Sequence, residues 1–267
     1  MSSSPLITSR QNPRVKDAAL LRNSRERQRR GQFLIDGARE ITRAVEAGVG
    51  VVQVFVCDEL CKSDESRRAV KLVESTSTEV FRITSEVNEK LAFGERHDGV
   101  IVVAETMRRG LAGLQLTERP IVAVLEGIEK PGNLGAILRS ADAAGVDAVI
   151  VANGRTDLFN PNTIRASLGT VFRANVCEAS LAEVIEWLSK KELPIIAARP
   201  DAQKLYTEVD LRNGAAIVLG SEAEGLTDIW HAANVTAVRL PMHGIADSLN
   251  VSTTAAVLFY EALRQRS

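Results

Sequence analysis

The sequence is short of the residues that announce a metal centre, a disulfide framework or a membrane span. Its three histidines (His97, His231 and His243) have no paired ligand spacing, so no structural or catalytic metal is expected. Its three cysteines (Cys57, Cys61 and Cys177) are odd in number and scattered, which argues against a disulfide scaffold and for a reducing, cytoplasmic setting. Cys57 and Cys61 are spaced as half of a metal site, but no second half follows. No stretch approaches the roughly 20 uninterrupted apolar residues of a transmembrane helix. The opening MSSSPLITSRQNPR has no apolar core of the secretory kind. No membrane partner is expected. Overall charge is also lacking: 267 residues, 45% hydrophobic and 25% charged, carry a formal net charge of −1. That is the profile of a globular protein long enough for two cores.

The balance hides an asymmetry. Residues 1–30 contain eight basic residues (Arg10, Arg14, Lys16, Arg22, Arg25, Arg27, Arg29 and Arg30), opposed only by Asp17 and Glu26. Such a cluster can neutralise phosphates and release counterions. It is equally the pattern of a solvated helix face, so alone it permits RNA binding without establishing it.

Along the chain, residues 14–30 read as one basic helix and Ala38–Ala47 as another, ended by Gly48. VVQVFVC reads as a buried strand, Ser63 caps a helix through about Glu74, and strands at Val80–Ile83 and Gly99–Ala104 flank a helix near Ser85–Leu91. This makes a small α/β domain over residues 1–105. TMRRGLAGLQLTER, residues 106–119, is polar and weakly patterned and reads as a linker. A second alternation spans residues 120–267: IVAVLEG, AVIVAN, PIIAARP, AAIVLGSE and VTAVRLP are nearly all-apolar strands, as in a parallel sheet covered on both faces. Helices are expected at Asn133–Ala144, Asn162–Leu168, Leu181–Lys190 and Ser248–Arg264.

Ligands of parallel α/β sheets bind at the carboxyl ends of strands, and three such ends carry unusual residues. In EGIEKPGNLGAILRSADAAG, Pro131 and Gly132 make a turn, Asn133 is a candidate cap, and Arg139 follows six positions on. In VLGSEAEGL, Glu222 stands between Gly220 and Gly225, which free the backbone for close approach and a tight turn. In LPMHGIADSLNVSTTAAVLFYEALRQR, Ser248 is a candidate cap for a long amphipathic helix. Pro241, Met242, Gly244, Ser248 and Asn250 crowd that loop beyond what a cap needs. Each segment alone also reads as an ordinary turn or capped helix. Familiar nucleotide and nucleophile motifs are missing: there is no G-x-x-x-x-G-K-[ST] and no G-x-S-x-G, and GVGVVQ precedes its strand rather than following one.

Taken in order, Asn133–Ala141 (N-x-G-A-x-x-R-S-A), Leu219–Leu226 (L-G-S-E-x-x-G-L) and Leu240–Ser252 (L-P-M-x-G-x-x-x-S-L-N-V-S) resemble the three signature motifs of the SpoU (TrmH-like) family of the SPOUT superfamily. NPNTIRASLGTVFRANV resembles the family's segment between the first two motifs. Residues 12–104, through RVKDAALLRNSRERQRRGQFLIDGAREI and HDGVIVVAE, resemble the L30e-like substrate-binding domain that several members carry in front. Two positions depart from the pattern: Lys130 stands where Asp is frequent, and Asp247 where Glu is common.

The resemblance implies an RNA ribose 2′-O-methyltransferase using S-adenosyl-L-methionine, with a trefoil knot in its C-terminal parallel-sheet domain and a homodimer packed through the knot. It places the cofactor near Ala198, Leu219, Gly220, Leu240, Met242, Ser248 and Leu249. It assigns Arg139 to the target ribose, Asn133 and Asn250 to positioning the hydroxyl and Arg139, Ser248 to organising the loop and helix start, and Glu222 to orienting the cofactor loop or its partner Arg. A guanidinium is a poor base near neutral pH, so Arg139 is expected to anchor phosphate. RNA contacts are expected from Arg22, Arg25, Arg29, Arg30 and Arg139, and rRNA is favoured over tRNA because the front domain resembles that of rRNA-directed members. An inactive RNA-binding relative and a small-molecule α/β enzyme are the competing readings. The complete set Asn133, Arg139, Glu222, Ser248 and Asn250 argues against the first, and the basic N-terminal region against the second.

Overall fold

The computed structural model describes residues 6–76, 79–94, 98–173 and 175–267. His97, which opens the HDGVIVVAE run, lies outside them. Two compact units emerge: residues 1–107 with 157–172, and residues 108–156 with 173–267. Among the described residues no helix is long and apolar enough to cross a membrane, and no group of three or more His, Cys, Asp or Glu is arranged to hold a metal ion.

The first unit has a mixed five-stranded sheet made by β1 (Leu6–Ile7), β2 (Gln32–Asp36), β3 (Val51–Val56), β4 (Glu79–Ile83) and β5 (Val100–Glu105), in the order β1-β4-β3-β5-β2. The pairs β1/β4 and β3/β4 are parallel, and β5 is antiparallel to both β3 and β2. Helices α3 (Ala38–Glu46), α4 (Asp64–Glu74) and α5 (Ser85–Leu91) connect them, and Ser63 caps α4 by accepting from Ser66 N at 3.0 Å.

The single basic helix expected over 14–30 is in fact two, α1 (Pro13–Leu20) and α2 (Ser24–Arg30). The break has a local cause. Asn23 turns its side-chain oxygen to Arg25 N at 2.8 Å, starting a new helix instead of continuing the old one, while Leu21 is buried.

Residues 157–172, including α7 (Pro161–Ala166), complete this unit although they lie far along the chain. Arg27, only 4% exposed, bonds Asp157 through Nη2 (2.7 Å) and Nε (3.2 Å), and its Nη1 donates to the carbonyls of Leu21 (2.9 Å) and Arg22 (2.8 Å). Phe159 stacks on Phe33 with centroids 4.5 Å apart, and Arg165 approaches Asp36 at 3.8 Å. The units therefore differ from the boundaries 1–105, 106–119 and 120–267. One segment of the third range, 157–172, packs with the first, and 108–119 belongs to the second unit. There Leu111, Leu114 and Leu116 pack on the core and Thr117 Oγ1 donates to Asp147 at 2.7 Å.

In the second unit, β6 (Ile121–Glu126), β7 (Ala148–Ala152), β8 (Val176–Ala179), β9 (Ile195–Ala198), β10 (Lys204–Leu205), β11 (Ala215–Leu219) and β12 (Val235–Arg239) form a seven-stranded sheet in the order β10-β12-β9-β11-β6-β7-β8. Every pairing in it is parallel. Val122, Val124, Ile150, Ala197, Ala216, Val218 and Trp230 form its core, as the apolar strand runs require. Helices α6 (Pro131–Ala143), α8 (Leu181–Lys191) and α9 (Val251–Arg266) belong to the same unit, with α9 lying against α6. Buried Glu126, at the end of β6, accepts from Thr227 N and Oγ1 (3.1 and 2.8 Å) and from Trp230 Nε1 (2.9 Å), tying that strand end to the chain beyond β11.

Candidate active site

The loops after β6, β11 and β12 converge on one carboxylate. Pro131 occupies the first turn of α6, whose N-cap is Lys130, so Asn133 sits inside the first turn and does not cap the helix as expected. Its side chain is free to act elsewhere: Nδ2 donates to Glu222 Oε1 at 2.9 Å. Asn250, not Ser248, caps α9. Its Oδ1 accepts from Ser252 N (2.9 Å) and Oγ (2.6 Å), while Nδ2 donates to Glu222 Oε1 and to Asn133 Oδ1 (3.3 Å). Lys130 Nζ donates to the other oxygen, Oε2. Glu222 therefore gathers Lys130, Asn133 and Asn250 within one chain.

These donors fix the charge state. The Lys130 ammonium, followed by the Asn133 amide and the Val251 backbone, holds the Glu222 carboxyl below its usual range, and Glu222 raises Lys130 in return. A second cation braces the rim: Arg155, just past β7, pairs with Glu129 after β6 and with Glu224 after β11. Arg155 and Lys130 were not singled out as site residues. The available signal was that each lies a few residues past the carboxyl end of a parallel strand.

Beside this cluster opens a cavity of about 510 Å³ at the carboxyl ends of β9, β11 and β12. All seven residues expected around the cofactor (Ala198, Leu219, Gly220, Leu240, Met242, Ser248 and Leu249) line it, as do Glu222 and Asn250. Gly220 has no room for a side chain: a Cβ there would stand 2.3 Å from the carbonyl carbon of Gly225. The chain doubles back over it through Gly225, at φ +70°, and Ser221 Oγ accepts from Glu224 N at 3.0 Å. Arg199, Asp201 and Thr254 also line the cavity and were missed, being ordinary residue types outside the motif text.

Ser248 is exposed at the cavity and makes no hydrogen bond among the described residues. Arg139 is exposed on α6, does not line the cavity, and its guanidinium has no hydrogen bond or ion pair among the described residues, so one chain does not join it to Asn133 and Asn250. Of the other expected RNA contacts, Arg22 lies 4.7 Å over the Phe93 ring and donates to the Ala92 carbonyl. Arg25 is exposed with no guanidinium partner among the described residues. Arg29 and Arg30 share Glu26, and Arg30 also reaches Asp17 at 3.1 Å. The cysteines are free, and burial pushes the Cys61 and Cys177 thiols up to about 11, which disfavours the thiolate.

Known proteins are similar to this chain in sequence and fold. A family model for the SpoU rRNA methylase family matches residues 120–260, and one for an MRM3-like substrate binding domain matches residues 12–102. The 23S rRNA (uridine(2479)-2′-O)-methyltransferase of Streptomyces viridochromogenes is 31% identical over 269 residues, covering 97% of this chain and 92% of the relative. A crystal structure of an RNA 2′-O ribose methyltransferase is similar at TM-score 0.86 and 42% identity, over 98% of this chain and 99% of that one. The SpoU methyltransferase AviRb of Streptomyces viridochromogenes, in complex with AdoMet, has TM-score 0.87 and 28% identity over 96% of this chain and 98% of its own. The chain belongs to the SpoU rRNA methylase family.

Proposed function

We propose that this protein transfers a methyl group from S-adenosylmethionine to a ribose 2′-hydroxyl of 23S rRNA, acting as a homodimer with a knotted second unit. The observation that carries this reading is the meeting of Asn133, Glu222 and Asn250 at the edge of a cavity lined by all seven expected cofactor residues. The cavity fits the cofactor in size and chemistry. Leu219, Leu240 and Leu249 offer an apolar wall to a flat base, and Asp247 offers a carboxylate to a cationic ligand.

The bound cofactor supplies a methyl carbon already activated by positive sulfur, so the protein has to orient the reactants and let a proton go. Asn133 and Asn250, held by one ionised carboxylate, keep fixed amide groups where a hydroxyl can be aligned. Arg139 anchors the phosphate beside the target ribose, and the hydroxyl proton leaves to phosphate or water. Because Arg139 stands outside its own chain's cavity, a second copy completes the site. The surface supports pairing: Ile245, Leu249, Tyr260 and Leu263 are large, exposed and apolar, all within the last 23 residues. The chain path fits a knot, since β12 lies beyond β9 from β11, yet α9 returns to α6.

The test is transfer of labelled methyl to unmodified total RNA, with nuclease mapping of the product. A 2′-O-methylated nucleotide in 23S rRNA is expected. Arg139→Ala should abolish transfer and spare cofactor binding; retained turnover would remove Arg139 from the site. Mixing Arg139→Ala with Asn250→Ala protein should recover activity, because hybrid dimers hold one intact site. No recovery would argue that each chain works alone.

A further inference from the structure

One side of the cavity is an unfriendly place for RNA as it stands. There Glu129, Glu222 and Glu224 pair, among the described residues, with two cations, Lys130 and Arg155. Arg155 is committed on both sides, its two terminal nitrogens each bonded to a different glutamate. Lys130 is not. An ammonium has three donors, one is taken by Glu222, and the side chain is 69% exposed. Lys130 is also the one cation among the described residues bonded to the carboxylate that holds Asn133 and Asn250.

We propose that Lys130 is a substrate-positioning residue, bridging Glu222 to a backbone phosphate next to the methylated nucleotide. This rests on the RNA methyltransferase reading above. The bridge does two things. It lowers the repulsion a polyanion meets on that side of the cavity, where these carboxylates outnumber their cations. It also fixes the phosphate relative to the amides of Asn133 and Asn250, because one carboxylate holds all three donors. Glu222 and the incoming phosphate can share the ammonium, since the carboxylate takes one of its three donors. The lysine is thus a contact to the nucleic-acid backbone rather than to a base, and its effect should not depend on base identity.

The test compares wild type, Lys130→Gln and Lys130→Arg for binding of an rRNA fragment across a salt series, with cofactor affinity and single-turnover methyl transfer at saturating RNA in parallel. Gln still donates to Glu222 but carries no charge. Losing one phosphate contact should flatten the log–log salt dependence of RNA binding by about one and weaken binding roughly five- to tenfold near physiological salt. Cofactor affinity should stay put, and Lys130→Arg should restore the slope. An unchanged slope in Lys130→Gln would overturn the proposal, whether or not turnover falls, because a residue acting only through Glu222 would slow transfer without altering the salt dependence. Wild type that neither binds nor methylates RNA would overturn the enzyme reading with it. Wild type that does both, with an unaltered Lys130→Gln slope, would overturn this inference alone.

Discussion

Two carboxylates of this chain, each the centre of a polar cluster, are held in contrasting ways. Asp157, in the first unit, takes two bonds from a guanidinium that is 4% exposed and otherwise spent on backbone carbonyls. Glu222, in the second, is gathered by two amides and a lysine whose side chain is 69% exposed. A pair whose guanidinium is buried and fully bonded fastens a fold, because removing its carboxylate strands a charge away from water. A carboxylate at a cavity edge, paired with an exposed ammonium, contributes less to stability and sets the geometry a ligand meets. The contrast separates residues that build the structure from residues proposed to serve the reaction.

The sharpest break in that contrast comes from Asp157→Ala. It leaves Arg27 buried and unpaired and should destabilise the protein by about 3–5 kcal/mol in denaturant unfolding. A loss under about 1 kcal/mol would mean that water or the two carbonyls suffice for Arg27, and the two clusters would then differ less than their burial suggests. Glu222→Gln should do the reverse. Unfolding free energy should change by less than about 1 kcal/mol, while methyl transfer falls on the order of 10²-fold because Lys130 loses its acceptor and the amides of Asn133 and Asn250 lose the charge that holds them. Equal damage to stability and rate would place Glu222 among the fold-building residues. Arg155→Ala should matter least in stability, by about 0.2–1 kcal/mol for its exposed ion pairs. That effect should fade in 1 M salt, where screening reaches about 3 Å; salt-independent destabilisation would show that Arg155 packs more than it pairs.

The same contrast marks what the sequence made legible. The apolar strands of the second unit were readable because both faces are covered, so their composition alone identifies them. The same reasoning was available for β2, whose FLI run is buried, but a run that short lacks a period to distinguish strand from helix. Caps were harder. Ser248 and Asn250 are both good N-cap residues, and the choice of Asn250 depends on where the preceding loop delivers the chain, which is a tertiary matter. Asn133 as a cap was avoidable, since Pro131 already marks the first turn. Least readable was the packing of 157–172 on the first unit, which turns on Arg27 meeting a partner 130 residues away. Arg27 looked like one more member of a basic patch. For the site, motif text located Asn133, Glu222 and Asn250, but nothing in the linear pattern said that one carboxylate would hold both amides and Lys130.

A pH series sharpens the comparison most finely. The Lys130 ammonium, with the Asn133 amide and the Val251 backbone, holds Glu222 below its ordinary value of 4.5 in the folded protein. A carboxyl that binds its proton less readily folded than unfolded contributes stability that is complete above its unfolded value. The contribution is lost as pH falls through the lower folded value. The stability difference between wild type and Glu222→Gln should therefore be flat from neutral pH to about 5 and shrink below that. Taking the difference cancels the other carboxyls that are also depressed, such as Asp210, which Arg212 holds at about 2. Glu222 is partly open to solvent, so the change should be small. A difference that grows on acidification would mean that Glu222 is easier to protonate in the folded state, and that its three donors do not hold it as an anion.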